Sequence, residues 1–149
     1  MKNKLEIARK YINLPEKFDK GNILLVGPPW KKVTYLDTKV KAATLNYPSL
    51  SLPTIATPLL QQGYNVKILD LDLYDSPYFV LQKTLNEFDP FLVGITCSTP
   101  FFKEAVKIAE ITKQHNKNIT TVIGGPHSTT YPEEFLNKLH VQEAEPYKI

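Results

Sequence analysis

The sequence predicts a doubly wound α/β domain, Rossmann-like and flavodoxin-like in order, with a parallel sheet of four to five strands and helices on both faces. Short apolar runs that suit buried strands alternate four times with segments of helical periodicity. The runs are nearly continuous in apolar residues, which is typical of parallel strands that helices cover on both faces. Such an alternation also implies right-handed crossovers between the strands.

Each predicted strand is followed by a segment with a helical pattern. The strands are predicted over residues 22–26, 66–73, 91–96 and 119–123. The helices are predicted to start near Ser51, Pro77, Thr99 and Pro132. Pro58 lies inside the first helix, where its missing N–H should kink or shorten the helix. Thr130 and Glu133 have the spacing of a capping box for the last one.

The length and composition fit one globular domain. The chain has 149 residues, and no apolar run approaches the roughly 20 residues of a membrane-spanning helix. The charged N-terminus does not fit a secretory signal, so we expect a cytoplasmic protein without membrane contact. The net charge of +3 comes from scattered lysines, which argues against a nucleic-acid partner. We expect an N-terminal helical arm over 1–20, a domain over 21–140, and a tail or incomplete last strand over 141–149.

The cysteine and histidine residues exclude several kinds of site. With one cysteine, Cys97, the chain has no internal disulfide framework and no multi-cysteine metal site of its own. Cys97 is expected to pack as a small buried residue. His115 and His140 lie near predicted helix ends, where a histidine meets solvent or the helix dipole. His127 follows paired glycines at a strand end, and it either bonds its own backbone or touches a ligand.

Three predicted strands end in glycine or small polar residues. The stretches concerned are 26–29, 93–98 and 120–130. In an open parallel sheet the carboxyl ends of all strands lie along one edge, where ligands bind. Gly124 and Gly125 form either a tight turn or a place where a bound group comes against the backbone. The pattern at the other two strand ends favours the second interpretation.

A dinucleotide site has weak support. Such a site needs glycines spaced G-x-G-x-x-G after the first strand, but Gly27 is followed by Pro28 and Pro29. The two prolines remove backbone N–H donors that would hold a pyrophosphate. Asp70 or Asp72 could hold a ribose, but the glycines are missing. A nucleotide bound elsewhere on the edge remains an alternative.

Two other classes of site are incomplete in this sequence. A phosphoacceptor receiver needs an acid after the first strand and a lysine after the fourth, where Gly27 and Pro126 stand instead. For hydrolysis, no nucleophile, base and orienting group are visible together. The long segment 27–51 has no sustained periodicity, and we interpret it as a ligand-covering loop.

The strand ends resemble those of a known family. The main motifs are Gly94-Ile95-Thr96-Cys97-Ser98-Thr99-Pro100 and Ile123-Gly124-Gly125-Pro126-His127-Ser128-Thr129. Further likenesses are Val26-Gly27-Pro28-Pro29, Tyr47-Pro48-Ser49-Leu50-Ser51-Leu52, Gln62-Gly63-Tyr64-Asn65-Val66 and Leu69-Asp70. In order and spacing they resemble the cobalamin-binding domain at the N-terminus of cobalamin-dependent radical S-adenosylmethionine enzymes. The likeness runs from about residue 22 to residue 139.

The resemblance implies a corrinoid site at the carboxyl edge. The dimethylbenzimidazole tail would lie among the strand ends, near Thr96 and Ser98, and the corrin ring across the edge. Gly124 and Gly125 would let the tail pass close to the backbone. Pro126, His127 and Ser128 would flank the tail or its phosphate. The full implied cofactor-binding set is Gly27, Pro28, Pro29, Thr96, Cys97, Ser98, Thr99, Gly124, Gly125, Pro126, His127 and Ser128.

Two family motifs are missing. Many cobalamin-binding domains carry D-x-H-x-x-G, whose histidine binds cobalt, but no histidine lies between Gly27 and Gly63. The resemblance therefore implies base-off cobalamin with water, a loop residue or nothing below the cobalt. Trp30, Tyr35 or Tyr47 could cover that face. The C-x-x-x-C-x-x-C motif is also missing, so this chain holds no iron–sulfur cluster.

These features predict a cofactor-binding module that is not catalytic alone. It would hold cobalamin for a radical S-adenosylmethionine domain in cis or in trans, for methyl transfer or related radical chemistry. The alternative is a degenerate Rossmann-like domain that has lost the cofactor and serves as an interaction or scaffolding module. Pro58 and the weak fifth strand keep this alternative open.

Overall fold

The sheet has four parallel strands in the order β2-β1-β3-β4. The computed structural model describes residues 14–30 and 50–138. The strands are β1 (Asn22–Gly27), β2 (Asn65–Asp70), β3 (Leu92–Thr96) and β4 (Thr120–Gly124). This order confirms the predicted doubly wound fold, since the chain goes from β1 to one neighbour and then crosses back to the other.

Five helices and two 3₁₀ turns lie in the described part of the chain. The helices are α1 (Ser51–Gln61), α2 (Pro77–Phe88), α3 (Phe102–His115), α4 (Pro126–Thr130) and α5 (Pro132–Lys138). The turns are η1 (Leu71–Leu73) and η2 (Thr99–Phe101). None of these helices is long and apolar enough to cross a membrane.

The larger core lies between the sheet and helices α2 and α3. Every second side chain of β1 points into this core. Leu24 and Val26 are two of these side chains, and both are fully buried. Leu81 of α2 and Ile108 of α3 are also fully buried in this cluster. Full burial of a leucine or isoleucine side chain contributes roughly 1.5–3 kcal/mol.

Helix α1 covers a smaller core on the opposite face. Ile23 and Leu25 of β1 pack there with Leu52 and Ala56 of α1. The helix lies over β1 and β2 and leaves part of β4 uncovered, since Val122 is 48% exposed. Among the described helices, none covers the end of β4 on this face.

Strand β2 is shorter than predicted. The apolar pattern predicts a strand to residue 73, but β2 ends at Asp70 and the chain turns into η1. The Asp70 carboxylate accepts a hydrogen bond from the Asp72 N–H at 3.2 Å, which stabilises this turn. The acidic side chain thus ends the strand although the apolar alternation continues.

Helix α1 begins near Ser51 as predicted, and Pro58 does not shorten it. Its last turn continues to Gln61, and the Gln62 N–H donates to the Pro58 carbonyl at 3.0 Å. Thr54 and Pro58 are both exposed, so water can satisfy the carbonyl that loses its intrahelical donor. Of the two expected effects of Pro58, a kink or a shortened helix, the shortening does not occur.

The predicted capping box does not form. Thr130 is the last residue of α4, and its hydroxyl donates to the Pro126 carbonyl at 2.9 Å. Local backbone bonding by the hydroxyl replaces the cap. In the predicted N-terminal arm, residues 14–20 contain no helix, and residues 1–13 lie outside the described part. The predicted tail over 141–149 also lies outside it.

Candidate functional site

The carboxyl ends of β1 and β3 flank the topological switch point of the sheet. Strand β1 pairs with β2 on one side and with β3 on the other, and all pairs are parallel. In open α/β sheets the crevice for ligands opens outside the strand ends at this point. The predicted binding edge therefore coincides with the switch point of the fold.

Three small residues occupy one face of this edge. Gly27 and Thr96 follow the two-residue period of Leu25 and Leu92, which both pack on the α1 side. Gly124 is the register partner of Thr96 on the neighbouring strand. We call Gly27, Thr96 and Gly124 the edge row. It offers little side-chain volume along three neighbouring strand ends.

The two ends of the edge row differ in how much space they have. A Cβ on Gly27 would lie 3.5 Å from the Asp70 Oδ1 atom and 3.5 Å from the Leu52 Cδ1 atom, which is ordinary contact. Among the residues that the structure describes, none has a heavy atom within 4 Å of a Cβ added at Gly124. The open space thus lies at β4, beyond the cover of α1. Asp70 was considered in the sequence only as a possible ribose ligand, and the register of β1 with β2 brings it beside Gly27.

The paired glycines have separate roles. Gly125 has φ of 113°, and a Cβ there would lie 2.5 Å from the Cys97 carbonyl oxygen. Because Gly125 has no side chain, the backbone of Cys97 can lie directly against it. Gly124 has no such neighbour and faces open space. Of the two residues, Gly124 has the surface that an added group can reach.

Backbone hydrogen bonds join the segments that follow β3 and β4. The Cys97 N–H donates to the Gly124 carbonyl at 2.7 Å. The His127 N–H donates to the Cys97 carbonyl at 3.3 Å. These two bonds, with Gly125 pressed against Cys97, set the spacing between the two strand ends.

Cys97 is fully buried at the end of β3. Burial raises the pKa of its thiol to about 11, because the thiolate would lose its hydration. At neutral pH this group is a protonated thiol and a poor nucleophile or metal ligand. The prediction that Cys97 packs as a small buried residue is confirmed.

His127 lies on the α3 side of the sheet and is 3% exposed. Its Nδ1 atom is 3.2 Å from the Thr99 hydroxyl oxygen. The ring centroid is 4.6 Å from that of Phe102 and 5.6 Å from that of Phe135. The imidazole is thus enclosed by residues of η2, α3 and α5. Its aromatic surroundings could have been suspected from Tyr131 and Phe135, which follow it at intervals of four residues.

The hydroxyls after the glycines bond mainly within α4. Ser128 Oγ and Thr129 Oγ1 both donate to the Gly125 carbonyl at 3.0 Å. Ser98 makes no such cap to the η2 turn, and its side chain is half-buried at the edge. Among the predicted hydroxyls, the half-buried Thr96 belongs to the edge row.

The segment after β1 continues the edge. Pro28 and Pro29 are buried, and neither residue has an N–H to donate. Trp30 is half-buried next to them, whereas Tyr35 and Tyr47 lie outside the described residues. In the part of the chain that the structure describes, no group of three His, Cys, Asp or Glu side chains could hold a metal ion.

The edge row fits an elongated organic group such as the nucleotide tail of cobalamin. The fit rests on Gly124, whose missing Cβ leaves open space beside Thr96. Any larger residue at Gly124 would fill that space. The prolines after β1 make the same edge a poor cradle for a pyrophosphate.

Comparison with known proteins finds a matching family, a curated relative and two solved structures. The family model described as B12 binding domain matches residues 38–145. An uncharacterized methyltransferase of Pyrococcus horikoshii, PH0819, is 36% identical over 111 residues, which are 74% of this chain and 23% of that protein.

The solved structures are of OxsB, a cobalamin-dependent S-adenosylmethionine radical enzyme. With aqua-cobalamin and S-adenosylmethionine bound, its TM-score to this chain is 0.63 at 17% identity. With aqua-cobalamin bound, the TM-score is 0.61, also at 17% identity. The matches cover 82% and 81% of this chain but 16% of the OxsB chain. They show a shared fold, and the family match shows that the chain belongs to the B12-binding domain family.

Proposed function

We propose that this domain binds base-off cobalamin and presents it to a radical S-adenosylmethionine domain, in cis or in trans, for methyl transfer or related radical chemistry. The observation that carries the proposal is the open space at Gly124, next to Thr96 at the switch point of the sheet. The family match supports the choice of cofactor. The P. horikoshii relative supports the choice of a methyl-transfer reaction.

The edge row would hold the nucleotide tail. Glycine at two of its three positions lets a flat ring system come against the backbone. The hydroxyls of Thr96 and Ser98 can bond a ring nitrogen or phosphate oxygen of the tail. The packed side of the edge, with Cys97 and Gly125, keeps β3 and β4 at a fixed spacing while the open side receives the ligand.

The bound cofactor would supply a cobalt atom that carries and transfers a methyl group. The chain's contribution is to bind and orient the corrinoid. No histidine lies between Gly27 and Gly63, which supports base-off binding without a protein imidazole below the cobalt. Trp30 is half-buried just after Pro29, so it can cover the lower face of a ring on this edge.

Exposed apolar side chains at the carboxyl edge support a partner domain. Leu50 precedes α1 and is 78% exposed, Leu73 ends η1 and is 62% exposed, and Phe79 in the first turn of α2 is 68% exposed. Leu73 follows β2 closely, and Leu50 and Phe79 lie at the starts of α1 and α2. In a parallel α/β sheet the starts of the helices lie at the carboxyl edge, where we propose the cofactor binds. Exposed apolar residues gathered around a site are typical of a surface that another protein covers.

The length of the relatives agrees with such a partner. The chain spans 23% of the P. horikoshii methyltransferase and 16% of the OxsB chain. Most of each relative therefore lies outside the matched region. We propose that the iron–sulfur cluster belongs to the partner domain, since this chain has one cysteine.

The proposal is tested by anaerobic reconstitution with hydroxocobalamin, followed by desalting and an absorbance spectrum. The wild type is expected to retain the corrinoid in stoichiometric amount with a base-off spectrum. Gly124→Phe is expected to lose it, because the phenyl ring fills the space beside Thr96. Thr120→Phe is the matched control, since it adds the same ring to the same face of β4 about 13 Å away.

Two outcomes contradict the proposal. Absence of retention by the wild type would contradict cobalamin binding by this chain and favour the interaction or scaffolding module. Equal retention by wild type and Gly124→Phe would show that the tail does not use the edge row.

A further inference from the structure

His127 contacts several of the described segments near the end of β4 on the α3 side. Its Nδ1 atom lies beside Thr99 of η2, and its ring packs on Phe102 of α3 and Phe135 of α5. Its own N–H donates to the Cys97 carbonyl. His127 therefore contacts both the segment after β3 and the segment after β4. The spacing of these two segments affects the shape of the edge row.

The side chain does not lie on the side where the ligand space opens. Gly124 is on the α1 side of the sheet with Thr96, whereas His127 is buried among α3-side residues. A group seated on the Gly124 surface would be separated from the imidazole by the backbone of β3 and β4. His127 can affect such a group by placing this backbone.

The two ring nitrogens face different partners. The Thr99 hydroxyl beside Nδ1 can donate or accept, whereas the carboxylate of Glu134, 3.5 Å from Nε2, accepts alone. The Nε2 atom is buried and makes no hydrogen bond to any of the residues within 14–30 and 50–138. Because the Glu134 side chain is about half exposed, it has room to approach the ring. These partners favour a hydrogen on Nε2, with Nδ1 accepting from Thr99.

We propose that His127 is a positioning residue that holds the segments after β3 and β4 together as the Nε2-protonated imidazole, between Thr99 and Glu134. This inference rests on the proposed function in one respect: the held segments shape the edge row for a corrinoid. The protonation site and the holding role concern the chain without ligand. They are measured without cofactor.

The first test is long-range ¹⁵N NMR of the histidine rings in the full chain without ligand, at a pH where the rings are neutral. The ring of His127, assigned by its loss in His127→Gln, is expected to show the Nε2–H tautomer. An Nδ1–H tautomer would overturn the inference, because the Thr99 hydroxyl would then be an acceptor and Nε2 could not donate to Glu134.

The second test is amide hydrogen exchange in Thr99→Val, Glu134→Gln and the control Glu133→Gln. Glu133 is the neighbouring exposed acid in the first turn of α5. The amides of Cys97 and His127 are expected to exchange about 2- to 10-fold faster in Thr99→Val, which removes one net hydrogen bond. In Glu134→Gln the increase is expected to be smaller, because the variant removes the charge but keeps an amide oxygen that can accept from Nε2. Amides of β1 and the Glu133→Gln variant should be unchanged.

Unchanged exchange at Cys97 and His127 in both variants would overturn the holding role. If the amides of the whole sheet exchanged faster by the same factor, the holding role would also be overturned, because the variants would then destabilise the entire fold. Titration with hydroxocobalamin then separates the two proposals. If wild type binds no corrinoid but the tautomer and exchange results hold, the proposed function fails and the positioning role stands. If wild type binds and Glu134→Gln weakens binding while Glu133→Gln does not, both stand.

Discussion

The two sides of the sheet edge at β3 and β4 are built in opposite ways. On the α3 side, Gly125 is pressed against the Cys97 backbone and the His127 ring is enclosed by aromatic residues. On the α1 side, Gly124 faces open space beside Thr96. Dense contacts on one side hold the backbone in place, so the other side can stay open without collapsing. The same pair of adjacent glycines serves both purposes.

The largest expected effect separates the two glycines. Gly125→Ala should lower the free energy of unfolding by about 3 kcal/mol or more, because φ of 113° suits glycine and the new Cβ would collide with the Cys97 carbonyl. Gly124→Ala should change it by less than about 1 kcal/mol, because its Cβ enters open space. Urea unfolding of both variants measures the difference. Equal losses would contradict the division of roles.

The buried thiol predicts a pH dependence of stability on the packed side. Burial raises the pKa of Cys97 from 9.0 to about 11, so between these values the unfolded chain releases a proton that the folded chain keeps. Stability from this group is complete below pH 9 and is lost as the pH rises toward 11. Urea unfolding over this range should show a steeper decline for wild type than for Cys97→Ala. Identical slopes would mean that the thiol meets solvent in the folded chain.

The smallest expected effect on stability concerns the apolar residues that surround the open edge. Phe79→Ser should change the free energy of unfolding by no more than about 0.5 kcal/mol, since Phe79 is 68% exposed. The buried Leu81 of the same helix is the contrast, and Leu81→Ala should cost about 2–5 kcal/mol. Chemical denaturation of both variants compares them. A loss above about 1 kcal/mol for Phe79→Ser would assign this residue to the core instead of a partner surface.

The sequence was sufficient for the order of elements and for identifying residues at the carboxyl edge of the sheet. Continuous apolar runs such as residues 23–26 form buried parallel strands because helices cover both faces of β1. This assignment of the strands places Gly27, Thr96 and Gly124 at the strand ends. Parallel pairing then brings them to one edge.

Contacts between distant residues could not be read from the sequence. Gly125 needs glycine because of Cys97, which is 28 residues earlier, and no local pattern records that approach. The early end of β2 depends on the Asp70 side chain, and the missing capping box depends on Thr130 bonding within α4. In each case a contact made by one side chain or backbone group determined the local structure, and the sequence pattern does not show that contact. His127 was predicted near the ligand, but it lies in α4 and is buried against Phe102 of α3 and Phe135 of α5.

The most direct test of the account compares cobalamin with cobinamide, a corrinoid without the nucleotide tail, in equilibrium titrations of wild type and Gly124→Phe. If the tail lies on the edge row, wild type binds cobalamin more tightly than cobinamide, and Gly124→Phe removes that preference while leaving cobinamide binding unchanged. If Gly124→Phe weakens both corrinoids equally, or leaves the preference intact, the open side of the sheet edge is not the site of the tail.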